Sequence, residues 1–318
     1  MEKFLSSNYI QTIAEVKSIS VAAEKLGISQ PALSSYLKKQ EERLETVLFD
    51  RAKQPIQLTE AGRIYLRYAE KFAALDKEFM QHIVDLEELR KGSLTIGGAS
   101  FFNVSYLPKA VAKFSEAYPG IDMEIVDGRI PDISMKALNG QLDLFITPTR
   151  EDDDRFHYEE LLQERIFLCV PSDWSINETL KEEAIPVESI LQPQASGGSG
   201  TKSPCVDFAK FRQLPFVLLQ EDQHIGQVME ALFHKYGFEP QHRVSVEQTM
   251  TSYALTLAGV GISLITESSI RNSNFREFPA LYMVDREICR RKMFVAYPKQ
   301  KYLSRASKEF IKILKINI

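Results

Sequence analysis

Hydrophobic and polar positions change their spacing three times along the chain. In "NYIQTIAEV", Ile10, Ile13, Ala14 and Val16 recur at helical spacing. The stretch "SVAAEKLGISQPALSSYLKKQEERL", Ser20 to Leu44, contains two short helical patterns that meet at Gly27. Ser20 is placed to cap the first, its side chain accepting from an unpaired N–H. Gly27 suits the left-handed residue that ends a helix without a Cβ clash. Ser29 then caps a third helix, and Pro31 sits in its first turn, where no N–H partner is lost. Leu33, Leu37 and Leu44 fall on one face of that helix; Gln30, Ser34 and Lys38 line another, with Ser35 beside them.

From Thr59 to Arg90 the spacing becomes a heptad. Ala61, Tyr65, Tyr68, Phe72, Leu75, Phe79, His82, Leu86 and Leu89 alternate in steps of four and three, a coiled-coil repeat with one polar position, His82. Such a seam packs either on a second copy of the chain or on its own domain, and its length favours pairing through 61–89.

Beyond residue 92, short β-rich runs alternate with helical patterns. The runs are "SLTIGG", "DMEIVD", "LDLFIT", "RIFLCV", "PFVLL", "RVSVE", "GISLIT", "LYMVD" and "KMFVAYP"; helical patterns cover 103–117, 131–140, 224–237 and 250–258, and "RASKEFIKILK" closes the chain. The alternation predicts parallel sheets covered by helices, and the length predicts two α/β lobes. Ligands in such folds bind at the carboxyl ends of the strands. Residues 181–215, containing "QPQASGGSGTKSP", predict a flexible loop.

Composition sets bounds on function. The 318 residues, 44% hydrophobic and 26% charged, are ordinary for a soluble protein; the net charge of −4 does not advertise a nucleic-acid partner. Residues 1–58 hold eight Lys/Arg against seven Asp/Glu. If the chain binds DNA, its basic groups must be arranged on one face rather than abundant. No run is long and apolar enough to span a membrane, and the N-terminus lacks the apolar core of a secretory signal. Cys169, Cys205 and Cys289 lie far apart, which fits a reducing cytoplasm and argues against zinc or a disulfide framework. The five histidines have no metal spacing, and no nucleophile elbow, HExxH, Walker A or dinucleotide fingerprint occurs, so neither an enzyme nor a cofactor is expected. A solute-binding protein would need export and would leave 1–91 without a role. Gln30 can pair with adenine through donor and acceptor together; Ser34, Ser35 and Lys38 suit base edges or phosphates.

The stretch "SISVAAEKLGISQPALSSYLKKQEERLETVLFDRAKQPIQLTEAGRIYL" resembles the N-terminal signature of LysR-type transcriptional regulators. It does so through Ala22-Ala23, Leu26, "ISQPALS" at 28–34, Glu41, "LFDR" at 48–51 and "LTEAG" at 58–62. Leu107-Pro108, "YPGI", "LNGQLDLFI", "PFVLL" and "AGVGISLI" extend the resemblance along nearly the whole chain. It implies an α+β multidomain protein: an N-terminal winged helix-turn-helix (1–58), a long linker helix (59–91), and a C-terminal α/β effector domain (92–318). The last comprises two Rossmann-like subdomains, about 92–163 with 267–318 and about 164–266, resembling a periplasmic binding protein. Gln30, Pro31, Ser34, Ser35 and Lys38 match the DNA-reading helix, and Arg51 and Lys53 the wing.

The resemblance also implies an effector held between the subdomains. Ser100, Phe102, Asn103, Thr147, Pro148, Gln220 and Thr249 are its expected contacts, with a carboxylate-bearing metabolite as the ligand. Implied partners are an interrupted palindrome of double-stranded DNA, further copies of the chain up to a homotetramer, and RNA polymerase. A redox-responsive regulator of the same fold, built on Cys205, is the alternative. Two positions depart from the family pattern: Gln40 stands where Leu is usual and Glu45 where Gly is usual, and the stretch 184–205 is longer than the usual connection.

Overall fold

The computed structural model describes residues 7–85, 91–148, 150, 153–191, 204–220, 223–272 and 277–318. These pack as two units, one from 1–88 with 135–142, the other from 89–134 with 143–318.

The first unit begins with α1 (Ser7–Val16), α2 (Ile19–Lys25) and α3 (Gln30–Arg43). A two-stranded wing follows, β1 (Phe49–Asp50) antiparallel to β2 (Gln57–Leu58), and then α4 (Glu60–Asp85). Gly27 has φ 68°, and Ser29 accepts from the Ala32 N–H, so the break between α2 and α3 has the expected chemistry. The cap of α2 is Ser18 rather than Ser20: its side chain accepts from the Val21 N–H at 3.4 Å. Leu33 and Leu37 are fully buried with Ile10, Ile13, Ala22, Ala23, Leu48 and Phe49. Leu44 is not part of that face. It ends α3 and is 39% exposed, because the helix terminates before the position turns inward.

The heptad seam on α4 divides into two. Ala61, Tyr65 and Leu66 pack against the core of the head, whereas Tyr68, Phe72, Leu75 and Phe79 are 48–62% exposed. Within the same unit the back of α4 meets 139–140: Asn139 donates to Glu70 at 3.3 Å, and a Cβ on Gly140 would come within 2.2 Å of the Ala74 Cβ. Leu86 and Leu89 lie outside the described residues. Among the described residues no helix is long and apolar enough to cross a membrane.

The second unit runs β3 (Gly92–Gly98), α5 (Ser100–Ser105), α6 (Leu107–Ala117), β4 (Ile121–Asp127), the first half of α7 (Ile130–Leu138, whose residues from Met135 count with the first unit), β5 (Leu144–Thr147) and β6 (Phe156–Val170). It continues through α8 (Ile176–Thr179), α9 (Glu188–Leu191), β7 (Pro215–Leu219), α10 (His224–Tyr236), β8 (Gln241–Val246) and α11 (Thr249–Leu257). It ends with β9 (Ser263–Thr266), α12 (Glu267–Asn272), β10 (Ala280–Tyr282), β11 (Arg290–Pro298) and α13 (Arg305–Asn317). β3 is parallel to β4 and β5, and β7 to β8, as the alternation predicts. The sheet is nonetheless mixed. β6 runs 15 residues, more than twice the length of "RIFLCV"; its first half pairs antiparallel with β11 and its second half with β9 and β10. Its first half, "FHYEELLQ", mixes polar and charged residues among half-buried ones with no apolar run, which hides it from a search for such runs.

Two hydrophobic cores result, one under β3, β5 and β11 with Leu94, Phe114 and Phe310, the other around Phe167, Phe208, Phe216 and Tyr253. The predicted loop at 181–215 is largely built into the second core. Ile185, Ile190, Val206, Phe208 and Phe211 are buried there; residues 192–203, with the Gly/Ser run, lie outside the described part. Scattered single apolar residues in a Gly/Ser/Pro-rich stretch carry no periodicity, which is why the sequence reads as loop.

Candidate functional site

α3 stands on its buried leucines and turns a polar face outward. Gln30, Pro31, Ser35 and Lys38 are exposed and Ser34 is half-buried. Lys38 lies 3.7 Å from Glu42, one turn on, an exposed pair of little energetic weight. Two adjacent features hold the helix and wing together. Glu41 accepts from the Leu48 N–H at 2.9 Å, the Phe49 N–H at 3.4 Å and the Arg51 guanidinium at 2.8 Å, so one half-buried carboxylate ties α3 to the start of the wing. Arg51 is thus held through one guanidinium nitrogen, with further guanidinium donors left over. Lys53 donates to Gln57 across the wing at 3.3 Å. Thr59 donates to the Val47 carbonyl at 2.6 Å and accepts from the Gly62 N–H at 3.0 Å, which starts α4 beside the wing. Gly62 has no alternative residue: a Cβ would meet the Leu48 carbonyl oxygen at 2.1 Å.

The two departures at Gln40 and Glu45 have structural consequences. Glu45 adopts φ 53°, the left-handed backbone that glycine takes freely. The Gln40 Oε1 is buried with no hydrogen-bond partner among the described residues.

In the second unit, the residues expected at an effector crevice fall into two groups. Ser100 and Asn103 follow the end of β3, and Thr147 and Pro148 end β5; the two strands are adjacent, with Gly98 opposite Ile146. Gln220 and Thr249 follow the ends of β7 and β8, which are also adjacent, and Gln220 donates to Glu247 at 3.2 Å. Asn103 donates to Asp127 at 2.5 Å, and its Oδ1 is buried with no hydrogen-bond partner among the described residues. Thr147 is 1% and Thr249 8% exposed. Phe102 is 4% exposed and belongs to the lobe core rather than to an open wall; Arg129 is exposed.

A buried charged cluster that reaches both Phe102 and His224 was not legible in the sequence. Glu164 on β6 and Arg291 on β11 are each 4% exposed and form a salt bridge of 2.5 Å. The Arg291 guanidinium lies 5.2 Å from the centre of the Phe102 ring. The other Glu164 oxygen accepts from the Ser268 hydroxyl at 2.6 Å and its N–H at 3.1 Å, while the Ser268 Oγ accepts from Tyr106 at 2.6 Å. Burial, followed by the charge of Glu164, raises the Tyr106 phenol well above its ordinary range. His224, which opens α10, feels the same pair. Burial first, and then Arg291, push its imidazole down to about 4, with Glu164 acting in the opposite sense. It is therefore neutral near pH 7. The bonded partners in this cluster are separated by 104, 127 and 162 residues, so no local spacing announces them. The short α12, six residues, is also too brief to show a helical period, yet it supplies Ser268.

Residues 7–63 match the model of the bacterial regulatory helix-turn-helix proteins of the lysR family, and residues 87–317 match that of the LysR substrate binding domain. The chain is 27% identical over 297 residues, 92% of its length, to a probable RuBisCO transcriptional regulator of Cyanidium caldarium, of which 87% is covered. It is 24% identical over 306 residues, 96% of its length, to the uncharacterized HTH-type transcriptional regulator YcgK of Bacillus subtilis, covering 91% of that protein. In fold it resembles full-length CbnR crystallised with its target DNA, with a TM-score of 0.68 over 99% of both chains at 18% identity.

Proposed function

The chain belongs to the LysR family of transcriptional regulators, and from that premise we propose that α3 reads an interrupted palindrome while a small carboxylate, bound at the strand ends of the second unit, sets promoter output. It is a DNA-binding regulator, not an enzyme, with a C-terminal effector-binding domain. The observation that carries the DNA reading is the exposed face Gln30, Pro31, Ser35 and Lys38 on a helix whose other side is locked by Leu33 and Leu37. Gln30 and Ser34 address base edges; Lys38, Arg51 and Lys53 address phosphates.

Two copies pair through the exposed stripe Tyr68, Phe72, Leu75 and Phe79, which places two reading helices in successive major grooves. The effector domains associate further into a homotetramer, and the bound promoter is presented to RNA polymerase. Ser100, Asn103, Thr147, Pro148, Gln220 and Thr249 hold the effector, and Phe102 acts from beneath, through Arg291. Differential affinity for two arrangements of the domain converts effector binding into altered DNA geometry. The redox alternative rests on Cys205, which is exposed; Cys169 and Cys289 are buried, burial raising the Cys169 thiol well above its usual range and pushing Cys289 up to about 12, so neither offers it a ready thiolate partner.

Footprinting on the DNA upstream of the coding region, with a panel of small carboxylates, tests this function. Gln30→Ala is expected to lose about 1–3 kcal/mol of discrimination at one base pair. Lys38→Ala is expected to weaken all sequences alike and to flatten the salt slope by about one. Footprints and slopes identical to the parent would show that α3 is not the reading element; footprints that no carboxylate alters would remove the proposed effector class.

A further inference from the structure

Three helices of the head are followed by a residue in the same backbone conformation, and only one of these residues is glycine. Gly27, after α2, has φ 68°; Lys17, after α1, has φ 52°, and Glu45, after α3, has φ 53°. That left-handed region is open to glycine and disfavoured for residues that carry a Cβ. Lys17 is in other respects an ordinary helix end: its N–H donates to the Ile13 carbonyl at 2.8 Å and closes the last turn of α1. Glycine would fit there without the penalty, so the presence of lysine needs a reason in its side chain.

The charges of the head narrow that reason. Residues 1–58 hold only eight Lys/Arg, and three of these already face a carboxylate: Lys25 lies 3.2 Å from Glu15, Lys38 3.7 Å from Glu42 and Arg51 2.8 Å from Glu41. Lys53 donates to Gln57. Lys39 and Arg43 stand on the later turns of α3, beyond the N-terminal residues that enter a groove. Lys17 is exposed, and among the described residues its ammonium has no ion-pair or hydrogen-bond partner. It directly precedes Ser18, the cap of α2, and in a helix-turn-helix the helix before the reading helix crosses the DNA backbone.

We propose that Lys17 is a further phosphate contact of the head, outside the set Lys38, Arg51 and Lys53: its ammonium meets the DNA backbone where α2 crosses it, and the left-handed conformation is retained because the position needs a cation that glycine cannot supply. The contact presupposes α3 as the reading helix. Glu45 is the internal control. It shares the conformation but carries an anion, which phosphates repel, so no such contact accounts for it. A lysine at the C-terminus of α1 also complements the dipole of that helix, and this alone would make Lys17 a stabilising residue. The two roles give opposite signs when the side chain is removed.

Fluorescence anisotropy of the full chain on a mixed-sequence duplex of about 40 base pairs, over a salt series, tests the contact, because a phosphate contact is blind to sequence. Lys17→Gly and Lys17→Gln are each expected to weaken binding about five- to tenfold near 0.1 M salt and to flatten the salt slope by about one, and Lys17→Arg to bind like the parent. Thermal unfolding should move the other way. Lys17→Gly is expected to raise the midpoint of the head by about 2–5 °C, and Glu45→Gly to raise it as well without any loss of binding. Both positions are exposed, so folding is not at risk. The proposal fails if Lys17→Gly binds with the parent's affinity and slope, or if Lys17→Gln keeps the affinity that Lys17→Gly loses. It fails also if Lys17→Gly lowers the midpoint and leaves DNA binding alone, which would make the lysine a helix-end residue only. A parent chain that ignores the duplex overturns the regulator reading together with the contact. A parent that binds, and is weakened by Lys38→Ala but not by Lys17→Gln, overturns the contact alone.

Discussion

The DNA-reading head and the effector unit place their polar chemistry on opposite sides of the packing. In the head the interior is Ile10, Ile13, Ala22, Ala23, Leu33, Leu37, Leu48 and Phe49, and the groups proposed to contact DNA stand outside on α3 and the wing. In the effector unit Glu164, Arg291, Thr266, Ser268 and Ser269 are inside, joined by hydrogen bonds between β6, β9, β11 and α12, with Tyr106 after α5. A surface that reads DNA needs only a rigid support, which an apolar core provides. A buried polar network behaves differently: it is favourable only in the arrangement that satisfies every member, so it distinguishes one packing of two lobes from another. The difference separates a fixed reading device from a body suited to having two states.

The strongest test of that contrast removes one partner from the interior. Arg291→Met would leave the Glu164 carboxylate buried without its cation, an error that typically costs about 3–5 kcal/mol. Thermal unfolding of the full chain should show the effector unit melting early, while the double variant Glu164→Leu with Arg291→Met recovers most of the loss. An Arg291→Met protein as stable as the parent would mean that the pair has no energetic weight and that the two regions do not differ in this respect.

His224 provides the second test, by pH. Its imidazole is pushed from 6.5 down to about 4 in the folded state, by burial first and then by Arg291. Between those values the unfolded chain binds more protons than the folded one. Stability is therefore full above about pH 6.5 and falls as the pH drops toward 4, by an amount on the order of 3 kcal/mol. His224→Gln should flatten that part of the profile for the effector unit and leave the head's profile as it was. A slope that survives the substitution would assign the acid sensitivity to other groups.

What could be read from the sequence follows the same division. Caps, turns and helical faces are local, and Gly27, Ser29, Pro31, Leu33 and Leu37 take the places that local rules give them. The exchange of Ser20 for Ser18 is the kind of error those rules permit, since two serines flank the start of α2. In the effector unit the alternation of strands and helices is equally visible. Its polar interior is not, because Ser268 and Arg291 find Glu164 across 104 and 127 residues, and a charged residue in a strand carries no local mark of burial. Asp143 is a further case: inside "LDLFIT" it is 3% exposed, accepting from the Thr95 N–H at 2.8 Å and from Lys301 at 2.7 Å. Phe208 and Phe211 are missed for the converse reason, as core residues set in a stretch whose composition says loop.

A smaller expected effect is the most discriminating, because it reverses sign between the two regions. Gln40 is the head's counterpart of the buried polar groups next door, but its Oε1 has no hydrogen-bond partner among the described residues. An unsatisfied buried acceptor costs about 1–3 kcal/mol, and Leu has nearly the same volume without the polar atom. Gln40→Leu should therefore stabilise the head by about 1–2 kcal/mol, whereas the comparable polar-to-apolar exchange at Arg291 destabilises its unit. Glu45→Gly adds a smaller gain: it relieves a left-handed backbone at φ 53°, partly offset by the greater freedom of glycine in the unfolded chain. Urea unfolding followed on the head measures both. If Gln40→Leu lowers the midpoint, the amide is satisfied in solution, and the head too depends on an internal polar bond; the separation of a dry core from a networked one would then no longer hold.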